Sequence, residues 1–144
     1  MSDAIDGYAA DAADLAFLAE IESGCLPAAS FDHRAHLRLA YLLLRERGLE
    51  DAGVAMKARL LGFLAHHGVD AGKYHATVTG AWLRAVHAAM RSGGGAASSR
   101  AFIEANPALL DGALLSRHYS NERLRGDAGR AAFLPPDREP FDGD

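Results

Sequence analysis

Apolar residues recur every three or four positions along most of the chain, the spacing of helices that bury one face. Leu15, Leu18 and Ile21 predict a short first helix from about Ala12 to Glu22, stopped at Ser23-Gly24. The second helix is the clearest. Asp32 or Ser30 can cap its start, and Gly48 marks its end. At about 100° per residue, His33, His36, Leu37, Ala40, Tyr41, Leu43 and Leu44 share one broad face. Leu39 and Leu42 lie behind that face, so this helix asks for a second neighbour. Arg34, Arg38 and Arg45 gather to one side.

A third helix spans about Glu50 to His67 and stops at Gly68. It is apolar on two sides, with Val54, Ala58, Leu61 and Ala65 opposite Met56, Leu60 and Phe63. Such a helix is either sandwiched or forms a contact between copies of the chain. The fourth starts near Tyr74 or His75 and runs to Arg91, with Val78, Trp82, Ala85, Val86 and Met90 on one face. Gly93-Gly94-Gly95 follows a helix and reads as a linker. A fifth helix (about Ser98 to Ala105) and a short sixth (Pro107 to Leu115) come next. A last helix is expected from the cap Ser120 towards Phe133. Residues 1–11 are expected to fray and 135–144 to form an extended tail. The reading is an all-α, single-domain bundle of about five to seven helices over residues 1–144.

Composition agrees with that reading. The 144 residues suit one hydrophobic core, and 49% are hydrophobic. A net charge of -4 argues against nucleic-acid binding, which needs a basic excess. No apolar run approaches the ~20 residues of a membrane span, and the start of the chain does not read as a signal peptide, so a cytoplasmic protein is expected. Cys25 is the one cysteine, which excludes an internal disulfide and a CxxC site. It is expected to be a buried or half-buried small residue.

The candidate chemistry lies in seven histidines. His33 and His36 stand i, i+3 on the first turn of a helix, a spacing that suits two ligands of one metal ion. His75 opens another helix on its apolar face. Short connections make consecutive helices antiparallel, so the second and fourth begin at the same end. His33, His36 and His75 therefore converge as metal ligands, and the end of the third helix brings His66 and His67 there. His118 joins if the chain returns down the bundle. His87 lies roughly 18 Å from His75 along its helix and is excluded.

Three histidines with an open position make a catalytic centre for a transition metal ion such as Zn, Fe, Cu or Ni. His118 would act as acid/base or fourth ligand. Tyr74 and Tyr119 would orient the substrate, and Lys73 and Arg117 would bind it. The substrate would be a small polar or anionic molecule; hydrolase or lyase chemistry and oxygenase chemistry both stay open. Two other readings stand beside this one. The histidines are structural in a non-enzymatic helical module, such as a homodimer built on the third helix, or the protein carries a metal or haem without turnover.

Phe31-Asp32-His33-Arg34-Ala35-His36-Leu37, Lys73-Tyr74-His75-Ala76-Thr77 and Leu115-Ser116-Arg117-His118-Tyr119-Ser120 carry a resemblance, with Glu122-Arg123-Leu124 and Pro136-Asp137. Together they resemble a family of small bacterial helical proteins to which no particular activity attaches. The resemblance picks out His33, His36, His75 and His118. It implies an acidic residue where Ala76 stands, so a general base at that position is in doubt.

Overall fold

The fold was analysed in a computed structural model, which describes residues 5–141. The architecture is all-α. Helices α1 (Ala12–Ser23), α2 (His33–Leu44), α3 (Leu49–His66), α4 (Ala76–Ser92) and α5 (Ser99–Ala105) form its body. Two short helices follow, α6 (Asn121–Arg125) and α7 (Asp127–Ala131).

Helix α2 is the centre of the core. Leu37, Leu39, Ala40, Tyr41, Leu42 and Leu44 are all fully buried. Its polar first turn and its almost unbroken apolar continuation explain this placement. The helix packs against α3, α4 and α5 at once, which gives Leu39 and Leu42 the second neighbour their positions require. Asp32 caps it by accepting the Ala35 N–H at 2.9 Å. It ends at Leu44, and Gly48 serves as the extended residue before α3.

On α3 the buried side is Ala52, Met56, Leu60 and Phe63. Its second apolar side faces outward, with Val54 69% exposed. On α1 the expected face is corrected. Ile21 is buried as expected, but Leu15 is exposed, and Asp14 and Phe17 are buried in its place. Gly24 ends α1 with φ +77°, a conformation costly for any residue with a Cβ.

Residues 7–9 and 138–141 are better anchored than composition suggests. Within the segment expected to fray, Ala9 N–H donates to the Ala96 carbonyl at 2.8 Å and Ala96 N–H to that of Gly7 at 3.0 Å. Tyr8 is buried and donates its hydroxyl to the Met90 carbonyl at 2.7 Å. Residues 1–4 of that segment lie outside the described residues. At the other end, Arg138 and Glu139 N–H groups donate to the carbonyls of His118 and Arg117, and Phe141 is buried.

Two expected helices are broken. Residues 107–117 form two 3-10 turns, Pro107–Leu110 and Gly112–Arg117, separated by Asp111 in an extended conformation. The Asp111 carboxylate accepts the Ala113 N–H at 3.0 Å, a local bond that competes with helix continuation. The helix expected from Ser120 to Phe133 is interrupted by Gly126, whose ψ of 152° is not helical. Ser120 is the cap as expected, accepting the Arg123 N–H. Cys25 is exposed rather than buried, because it lies just past the left-handed turn at Gly24. Among the described residues no helix is long and apolar enough to cross a membrane.

Candidate functional site

The starts of α2 and α4 and the end of α3 meet around a cavity of about 370 Å³. Its wall includes His36 from α2, Phe63, Leu64 and His67 from α3 and its C-cap, and Lys73, Tyr74 and His75 from the approach to α4. Phe31, Leu60, Val69 and Val78 add apolar surface, and among the described residues no lining side chain is acidic. Phe31 and Phe63 lie with ring centroids 5.3 Å apart. The volume falls within the roughly 300–1,000 Å³ of small-molecule sites.

Three of the histidines at this end donate a ring N–H to a remote carbonyl. His33 Nε2 lies 2.8 Å from the Leu109 oxygen, His67 Nε2 2.9 Å from that of Leu26, and His75 Nε2 2.7 Å from that of Leu124. A carbonyl can only accept, so each Nε2 carries the proton. His75 is occupied twice. Its Nδ1 accepts the Val78 N–H at 3.1 Å and so caps α4. His33 also sets its ring edge-on to Trp82, with centroids 4.4 Å apart. These bonds tie elements far apart in sequence, and each satisfies a polar group that burial would otherwise penalise.

His36 differs. Its Nε2 is buried and has no hydrogen-bond partner among the described residues. Burial, followed by the charge of neighbouring His33, pushes its pKa down to about 4, so the ring is neutral at pH 7. A buried ring nitrogen without a partner costs about 1–3 kcal/mol. Tyr74, in the wall of the same cavity, is half-buried, and burial raises its phenol above the usual value. Lys73 is exposed at the rim.

The remaining expected residues lie elsewhere. His118 lines a separate cavity with Leu109, Arg117, Glu139 and Phe141. Its Nδ1 donates to the Glu139 carbonyl at 2.6 Å, and its ring stacks on Phe141 at 3.9 Å. Arg117 pairs with Glu139 at 3.2 Å. Tyr119 is fully buried and donates its hydroxyl to the Leu134 carbonyl. These three therefore fasten the C-terminal segment and do not line the His36 cavity. His66 is exposed at the end of α3. Among the described residues, no three His, Cys, Asp or Glu side chains form a group able to hold a metal ion.

Sequence reasoning missed Asp14. This buried carboxylate accepts hydrogen bonds from Arg38 Nε at 3.0 Å, from the Ser99 N–H at 2.9 Å and from the Ser99 hydroxyl. Burial alone raises its pKa, but the bonds from Ser99, Arg38 and Asp11 outweigh it and hold the carboxyl below the usual range. The signal was available, since position 14 shares a face with Phe17 and Ile21. The cleft above it holds about 620 Å³, but Arg38 and Arg100 there are already paired with Asp14 and Glu104.

No protein-family model matches the chain, and no curated protein or solved structure is similar enough to it to support an argument. The candidate site therefore stands on its own geometry.

Proposed function

We propose that this protein binds a small, largely apolar molecule in the cavity between α2, α3 and α4, with His36 as its hydrogen-bond partner. Two facts about one residue carry this reading: His36 lines that cavity, and its buried Nε2 has no hydrogen-bond partner among the described residues. Nearby histidines satisfy a nitrogen with backbone; this one is left for something else. A ligand hydroxyl or N–H would supply the missing bond, while Phe31, Phe63 and Leu60 would enclose its apolar body. The neutral state of the ring suits it to accept as well as donate.

The test is a titration with p-cresol, a phenol of suitable size, followed by the imidazole nitrogen resonances of His36. Saturable movement of those resonances, lost in binding assays of His36→Leu, is the expected result. Unmoved His36 resonances, or equal binding by the variant, would sink this reading.

A metal-dependent enzyme is the second reading, favoured by one observation: His36, His67 and His75 line the same cavity. For the expected set His33, His36 and His75, the rings of His33 and His75 must first release the carbonyls of Leu109 and Leu124. Elemental analysis after incubation with zinc, iron, copper or nickel tests it. Stoichiometric metal, lost in both His33→Ala and His75→Ala, would favour the metal centre over the ligand pocket.

A further inference from the structure

We infer that the ligand of this cavity is an acid, an apolar body with a carboxylate at one end, bound with the carboxylate at Lys73. This inference rests on the reading of the His36 cavity as a ligand site and deepens it.

Three observations carry it. First, the cavity's charged lining is one-sided. Lys73 contributes an ammonium group, and among the described residues no aspartate or glutamate lines the wall. The nearest acid in sequence, Asp70, uses its carboxylate to accept the Gly72 N–H at 2.9 Å. Second, Lys73 is exposed and makes no ion pair within the described residues, so no carboxylate already neutralises it. The 3-10 turn Ala71–Lys73 fixes its backbone at the mouth. Third, the cavity also touches the start of α4, whose partial positive charge adds to that of Lys73. The independent sign of a ligand here is His36, whose buried nitrogen lacks a partner.

Charge at the mouth and an apolar interior with one polar contact match an amphipathic acid. A neutral ligand would leave the ammonium group unused. A cationic one would meet Lys73 with no acid to balance it. The carboxylate stays near water at the mouth, so its desolvation cost is small, while the apolar body goes inside.

The experiment compares 4-hydroxyphenylacetate with p-cresol by isothermal titration calorimetry, in the full chain and in Lys73→Gln. The two probes share the phenol and differ by the carboxylate. The expected result is about five-fold tighter binding of the acid, the scale of a solvent-exposed charge pair. In Lys73→Gln that preference disappears. Raising the salt concentration should reduce the preference in the parent protein. If p-cresol binds at His36 and the acid binds no tighter, or if Lys73→Gln keeps the preference, the acid inference is overturned and the ligand pocket stands. If neither probe binds, both are overturned.

Discussion

Acidification should destabilise this protein through His36, and the size of the effect follows from its surroundings. The ring has a pKa of about 4 in the folded chain against an ordinary 6.5. The folded state thus resists a proton that the unfolded state accepts. Above pH 6.5 the ring is neutral in both states and costs nothing further. As pH falls below 6.5 the unfolded chain takes up the proton first, and stability declines until the folded pKa is passed. A difference of this size amounts to about 3 kcal/mol in full, and about 2 kcal/mol by pH 5. Against a total of roughly 5–15 kcal/mol for a typical domain, that is readily measured. Urea unfolding of the parent and of His36→Leu at pH 7.5 and pH 5 would isolate the term. Leucine cannot take up a proton and removes the unpartnered nitrogen. The variant should be more stable at pH 7.5 by about 1 kcal/mol, the lower end of the cost of an orphaned buried group. Its margin over the parent should then widen by about 2 kcal/mol at pH 5. Parallel pH profiles for the two proteins would refute the argument.

Other groups give sharper single-site expectations. Asp14→Ala leaves Arg38 and the Ser99 N–H without their partner, and should cost about 3–5 kcal/mol in denaturant unfolding. Because the folded Asp14 carboxyl sits below its ordinary 3.8, its contribution is present above that pH and lost as pH falls through the folded value; the variant should lose that acid-side slope. His75→Ala removes the cap on α4 and the bond to Leu124, and should cost about 2 kcal/mol while speeding amide exchange at Val78. Phe141→Ala should release the C-terminal segment from His118, costing about 3 kcal/mol and shifting the His118 ring resonances. Cys25, exposed in the folded chain, should react with a thiol reagent without denaturant.

The helical periodicity made α2 and α4 legible, because their apolar residues keep one spacing from cap to end. The meeting of His36 and His75 was legible too, since short connections force the two helices to begin at one end. What each ring bonds to was not. Leu109 and Leu124 accept through backbone oxygens, which every residue carries, so no side-chain pattern announces them. His118 depended on the course of residues 107–117. The turn at Asp111-Gly112 breaks that stretch, and the ring ends beside Phe141. Asp14 was overlooked for a different reason, although it shares a helix face with Phe17 and Ile21. Its neighbours Asp3, Asp6 and Asp11 make it look like one more surface acid, and its partners Arg38 and Ser99 are remote in sequence.

The aromatic cluster on α2 also bears on how the chain is made. Tyr41 packs against Tyr8 at 5.8 Å and Phe102 at 4.9 Å, so its shell closes only when residue 102 has been synthesised. A ribosome adding ~5–20 residues per second needs roughly 3–12 s to go from Tyr41 to Phe102. Through that interval the helix at the centre of the core exists without part of its cover. Newly made α2 is therefore the segment on which a chaperone would act.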